Sequence, residues 1–254
     1  MDDAGEFVLD TAVVREFLAE VQESIGASDS PEQACALIRP RFGDLLSDPH
    51  WLPDEFRSSA PESGMGGGIG QWLLFRAANR SLSLFSLVVP PGAETPVHDH
   101  LAWGLVGLYQ GTQDEEIYAE RNGALQLIES RSLVPGDFYE LIPPRDDIHR
   151  VRATSDETSV SIHLLTNDTG CVWRHTFDPA TGERAPFRSG YVNVACTEPE
   201  HKRAKGTRSP ASCWSRGSAT GSRSRPLLNG TDTTSRPRAS PSCRSAVPNR
   251  LGAT

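Results

Sequence analysis

Three histidines carry the most legible chemistry in this 254-residue chain. They are His98 and His100 in the run Pro96-Val-His-Asp-His-Leu-Ala-Trp-Gly104, and His149 in Asp147-Ile-His-Arg-Val151. Alternate residues of a strand face the same way. A strand reading therefore puts the imidazoles of His98 and His100 on one face, about 6 to 7 Å apart along the chain, with Asp99 turned away. Two imidazoles so placed can share one metal ion. A third from a later strand completes a facial set of nitrogen donors and leaves positions open for substrate, as a catalytic site requires and a closed structural site does not. A His-x-His pair standing alone can equally be solvated or satisfied inside a core, so the surrounding spacing matters.

That spacing is Gly92, five residues, His98, one residue, His100, three residues, Gly104, six residues, Gly111. It resembles the first cupin motif, with glycine at position 104 where many cupins carry a glutamate ligand. Pro135-Gly-Asp137, followed twelve residues later by His149, resembles the second motif. Within cupins the chain is most similar to the thiol dioxygenases, the group of cysteine dioxygenase and 3-mercaptopropionate dioxygenase, over about residues 10 to 195. The likeness includes His-Asp-His-Leu-Ala-Trp-Gly at 98 to 104, His149-Arg-Val, and Ser161-Ile-His163-Leu, where the family has a Ser-x-His-x-Tyr run that orders the outer shell. Arg174 matches the arginine that holds the substrate carboxylate in the 3-mercaptopropionate branch.

The resemblance implies Fe(II) on His98, His100 and His149, Ser161 and His163 as outer catalytic residues, and Arg174 as the substrate-binding residue. It also implies a small thiol and O2 as partners, with both oxygen atoms ending on sulfur as a sulfinic acid. Three neutral imidazoles leave the charge of Fe(II) uncompensated, which favours an anionic thiolate and lowers the pKa of the incoming thiol. Arg174 would fix the far carboxylate by a bidentate pair and so orient the sulfur. Its plainer reading is an ion pair with Asp178 or Glu183. Ser161 and His163 read as ordinary polar core residues if the site lies elsewhere.

The chain departs from the family in three places. The tyrosine position is Leu165, leaving Tyr118, Tyr139 and Tyr191 as substitutes for the missing phenol. No cysteine lies near Gly104 or Leu105, so the cysteine-tyrosine thioether of mammalian-type cysteine dioxygenases cannot form. The upstream carboxylate-binding arginine of that branch has no clear counterpart. Counting back from His98 reaches Gln71-Trp72, and Arg76 fits only with a gap. These departures keep open a cupin that binds metal or ligand without oxidising it, or a cupin enzyme using another metal.

Composition frames the elements that must position these groups. No basic leader precedes an apolar segment and no run approaches the roughly 18 apolar residues that span a bilayer, so a cytoplasmic protein without a membrane partner is expected. Five cysteines, an odd number without a Cys-x-x-Cys pair, argue against a disulfide framework or a zinc ribbon. Residues 1 to 196 hold 14 arginines, no lysine and 30 acidic residues, whereas residues 197 to 254 hold 11 basic and 3 acidic residues. Rich in Ser, Arg, Pro, Thr and Gly, the segment from about 196 buries too little to fold and reads as a disordered basic tail. Trp214 is its one base-stacking aromatic, so nucleic acid is not the expected partner. An out-of-frame reading of a GC-rich gene accounts for such a composition.

Residues 1–69 read as a helical cap. Val13, Val14, Phe17, Leu18, Val21 and Ile25 recur at three- and four-residue steps after Asp10 or Thr11. Ser30-Pro31-Glu32-Gln33 opens a second helix with a capping box, carrying Ala34, Leu37, Ile38, Phe42 and Leu45. Gly64-Met-Gly-Gly-Gly68 reads as a joint and lacks the ending of a phosphate loop. Beyond Trp72 the period shortens to two, with strands expected at 81–89, 103–110, 115–119, 124–129, 138–141, 148–153, 158–165 and 171–177. The expected fold is an all-β core, a cupin double-stranded β-helix over residues 70–195.

Overall fold

Thr11 and Ser30 each start a helix by accepting a backbone N–H on the side-chain hydroxyl, from Val14 at 3.3 Å and from Gln33 at 3.2 Å. A first turn otherwise leaves such donors without partners. The helices are α1 (Ala12–Gly26) and α2 (Pro31–Ser47). Gln33 reaches back to the N–H of Asp29, not to that of Ser30, one residue outside the expected box. Val13 and Leu37 are exposed, so the apolar stripes are narrower than the sequence pattern. The structure is a computed structural model that describes residues 5–61 and 63–197, within the unit Met1–His201. Of the tail expected from 196, Cys196 and Thr197 are described and Cys196 is tied to the barrel unit; the rest, from 198, with the expectations of disorder and of a shifted frame, lies outside the described residues.

Twelve strands follow the chain: β1 (Glu6–Phe7), β2 (Gly70–Arg76), β3 (Ser83–Val89), β4 (Val97–His98), β5 (Gly104–Gln110), β6 (Gln113–Arg121), β7 (Ala124–Leu133), β8 (Phe138–Leu141), β9 (Ile148–Ala153), β10 (Ser159–Leu165), β11 (Arg174–Phe177) and β12 (Arg184–Phe187). They form two six-stranded antiparallel sheets, in the orders β1-β2-β3-β10-β5-β8 and β12-β11-β4-β9-β6-β7. This is the cupin double-stranded β-helix, with helices on the outside of the first sheet. Two stretches differ from expectation: β1 pairs with β2, so the segment before residue 70 is not wholly helical, and the return strand β12 carries no alternation to announce it.

The two sheets differ in what covers them. Phe17, Leu18, Ile38 and Phe42 of the helices pack with Leu84, Val88, Leu105 and Ile162 on the outer face of the first sheet. Its inner face supplies Phe85, Val106, Leu108, Leu141 and Leu165. Buried on both faces, β3 and β10 have no exposed residue. The second sheet meets solvent on one side, and β9 alternates accordingly, with His149, Val151 and Ala153 buried between more exposed neighbours. That alternation aims His149 into the barrel. Among the described residues no helix is long and apolar enough to cross a membrane.

Candidate metal centre

β4 and β9 are neighbours in the second sheet and set His98 directly opposite His149. His100 reaches the same point by another route. β4 ends at His98, and the chain turns through Leu101 at φ 55°, a backbone region costly for a bulky residue. The Asp147 carboxylate holds this turn, accepting the N–H of His100 at 2.8 Å and of Leu101 at 3.3 Å. A fastened turn, not strand alternation, thus delivers the second imidazole. The ring centroids form a nearly equilateral triangle with sides of 5.0, 4.9 and 4.8 Å, and the ligand nitrogens lie within 4.8 Å of one another.

Each ring has its Nδ1 engaged outside this triangle. His98 Nδ1 lies 2.8 Å from the Pro96 carbonyl, His100 Nδ1 3.2 Å from the Asp147 carbonyl, and His149 Nδ1 3.4 Å from the Tyr139 hydroxyl. Such contacts fix the tautomer that leaves Nε2 free for a metal. His149 Nε2 is buried and has no partner, as a vacant ligand atom would be. Burial, first, then the neighbouring Arg174 and His100, holds the His98 pKa well below the usual imidazole range, and burial with the two sister imidazoles does the same for His149. Neutral rings are the form that binds metal. A Cβ on Gly104 would come 1.9 Å from the Leu164 carbonyl oxygen, so no side chain can add a carboxylate ligand from that position. An all-nitrogen set fits Fe(II) and other divalent transition ions.

His98, His100, His163, Arg174, Gln71, Met65 and Phe85 line one small cavity of about 10 Å³. Three of these residues carry a buried polar atom without a hydrogen-bond partner: Arg174 Nε, Gln71 Nε2 and His163 Nδ1. Arg174 spends its other nitrogens on the wall, donating to the Asp99 carbonyl at 2.6 Å and to Ser189 Oγ at 2.9 Å, with its guanidinium over the Phe187 ring. It makes no ion pair with Asp178 or Glu183. No carboxylate among the described residues lies within 4 Å of it. Burial lowers its pKa to about 10, which leaves it charged at neutral pH. Ser161 Oγ lies 3.0 Å from His163 Nε2, and the His163 ring stacks on Phe85.

Other sequence candidates fall elsewhere. Arg76 pairs with Glu6 and Asp168, outside this cavity. Leu165 is buried against Phe85 and Val106. Tyr118 donates to Glu116, Tyr191 accepts from the N–H of Gly170, and Tyr139 alone of the three reaches a ligand histidine. His175 binds the Asp99 carboxylate at 2.7 Å, and His201 lies outside the described residues. The cysteine reading needs correction: Cys171 and Cys196 form a disulfide. Sequence separation hid it, because the fold brings the loop after β10 against residues 189–197. Gln71, at the position where counting back from His98 arrives, has an unpartnered amide nitrogen. A second pocket, lined by Gln71, Met65, Ser189 and Tyr191 among others, shares Gln71 and Met65 with the small cavity.

No family model matches the chain. Similar solved structures include Peruvianin-I, a cysteine peptidase from Thevetia peruviana latex, at 20% identity, covering 39% of this chain and 62% of that one, with a TM-score of 0.34. The Cupin_2 domain of an XRE family transcriptional regulator from Enterobacter cloacae matches at 22% identity, 38% and 94% coverage and a TM-score of 0.30. Oxalate oxidase with the substrate analogue glycolate matches at 14%, 48% and 61%, and 0.36. The fold is of cupin type. That statement rests on the strand order and pairing above. The chain spans about three fifths of the length of Peruvianin-I and of the oxidase, and the activities of these proteins are not transferred to it.

Proposed function

We propose that this chain is a non-haem Fe(II) thiol dioxygenase that uses O2 to convert a small carboxylate-bearing thiol, 3-mercaptopropionate or a cysteine-like molecule, to its sulfinic acid. The observation that carries this reading is the set of three unpartnered buried polar atoms, Arg174 Nε, Gln71 Nε2 and His163 Nδ1, on residues that share one cavity with His98 and His100. Each such atom costs about 1–3 kcal/mol when left unsatisfied, and a buried guanidinium without a carboxylate asks for an anion. A substrate carboxylate supplies it. Fe(II) held by the three histidines would supply the redox chemistry that moves both oxygen atoms of O2 to sulfur, RSH + O2 giving RSO2H.

The chain's own residues do the remaining work. Arg174 and Gln71 hold the carboxylate and thereby set the distance from the histidine triangle to the sulfur. Ser161 occupies Nε2 of His163 and holds the ring, so that Nδ1 is left for a polar group of substrate or O2. Phe85, stacked on His163, holds that ring in place. A space of about 10 Å³ holds roughly one water, so a thiol displaces that water and the wall must yield. Met65, unbranched and flexible, is a wall residue shared with the second pocket. A cytoplasmic setting belongs to the same proposal and would keep Cys171 and Cys196 as thiols.

A second reading, a cupin that binds metal without oxidation, is favoured by one observation, Leu165 at the family's tyrosine position. Oxygen consumption by iron-loaded protein separates the two. Uptake on adding 3-mercaptopropionate or cysteine, matched by sulfinate, supports oxidation. Iron binding without uptake for either thiol overturns it.

A further inference from the structure

Of the three ligand histidines, two lean on backbone carbonyls. His100 Nδ1 also has the Asp147 carboxylate 3.7 Å away, whereas the Nδ1 contacts of His149 are all to side chains, those of Tyr139 and Glu115. Tyr139 in β8 places its hydroxyl 3.4 Å from His149 Nδ1 and donates to Glu115 Oε1 at 3.0 Å. Glu115 Oε1 itself lies 4.0 Å from His149 Nδ1. All three residues are buried. Arg131 braces the group, with its guanidinium 4.0 Å over the Tyr139 ring and its Nε 3.3 Å from Glu115 Oε2.

Register explains the convergence. β6 pairs with β9 so that Glu115 lies opposite Val151 and Ile117 opposite His149, which sends Glu115 and His149 to the same inner face. Tyr139 crosses from the other sheet to join them. Since the tyrosine hydroxyl gives its proton to the carboxylate, its oxygen is left to accept from His149 Nδ1–H. Both protons then point away from the metal position. A carboxylate reached through a phenol draws the Nδ1 proton outward, makes Nε2 a stronger donor, and fixes the ring's rotation.

We propose that Glu115, acting through Tyr139, is a positioning residue for His149 that sets the metal affinity of the centre. The inference rests on the three-histidine metal reading and is independent of the thiol chemistry. Glu115 also fits a plainer role as the buried partner of Arg131, so its test needs a quantity that a structural ion pair does not move.

That quantity is the dissociation constant for Zn(II), measured on full-length protein by competition with a chromophoric chelator, beside the melting temperature of the metal-free protein. Tyr139→Phe, which keeps the ring over which Arg131 sits, and Glu115→Gln should each weaken Zn(II) about 10- to 100-fold, while His98 and His100 remain in place. Unchanged affinity in both variants, whatever their melting temperatures, overturns the proposal. A wild-type chain that binds no Zn(II) overturns the metal reading and this inference together. A measurement on wild-type protein needs no variant to fold: in Zn(II)-loaded, 15N-labelled protein the His149 Nδ1–H proton should be slowly exchanging and strongly downfield. A Nδ1 of His149 without a proton refutes the relay.

Discussion

Replacing Arg174 by alanine should discriminate between substrates, and the structure sets how strongly. Two guanidinium nitrogens are committed to Asp99 and Ser189, and Nε is free. The substrate carboxylate thus gains the arginine charge and the wholly unpartnered Nε–H, beside whatever second hydrogens Nη1 and Nη2 can still direct to it. A hydrogen bond to a charged group contributes about 1.5–3 kcal/mol, so the loss in kcat/KM for 3-mercaptopropionate should be about 10- to 150-fold. Cysteamine, which lacks the carboxylate, should lose less than about threefold. Because Arg174 also anchors the Asp99 carbonyl between two ligand histidines, both thiols must be compared at equal iron content, by oxygen electrode and sulfinate assay. Arg174→Lys should recover only part of the difference, since an ammonium cannot hold the wall and the ligand together. Equal losses for both thiols would make Arg174 purely a wall residue and remove the carboxylate specificity.

Two further outcomes follow from the packing. In oxidised protein, a chain ended at Thr197 should keep its full melting temperature. One ended at Val194 loses the Cys171–Cys196 link across 25 residues, and so about 3.5 kcal/mol by loop entropy. Equal melting temperatures would show that the link carries no stability. Burial pushes the Cys35 thiol up to about 12, so at pH 8 only about one molecule in ten thousand holds it as thiolate. Peptide mapping after iodoacetamide should find Cys35 unmodified in native protein and modified after unfolding, and rapid native labelling would contradict its burial.

Much of the barrel was legible because its physics is local. Eight strands between residues 81 and 177 follow from alternation and from turn residues, and both helices follow from caps that the structure uses. The convergence of the three histidines was legible from spacing, although its reason was not: His100 is placed by a turn that Asp147 fastens, a contact 47 residues away in sequence. What escaped the sequence is non-local. Glu115 sits in the run Asp114-Glu115-Glu116, which reads as a solvated face until β6 is known to bury every second residue. Gln71 is one polar residue in an apolar strand, and its meaning depends on Arg174 about a hundred residues later. Cys171 and Cys196 pair because the chain returns after β12 to the loop that follows β10, which no spacing announces.

The most direct test of the central claim is the fate of labelled oxygen. Iron-loaded protein given 3-mercaptopropionate under 18O2 should release a sulfinic acid carrying two heavy oxygen atoms, one O2 consumed per sulfinate formed. His149→Ala, lacking a ligand, should hold little iron and form none. Sulfinate with a single label, disulfide with hydrogen peroxide as the only products, or full activity in His149→Ala would contradict a three-histidine dioxygenase.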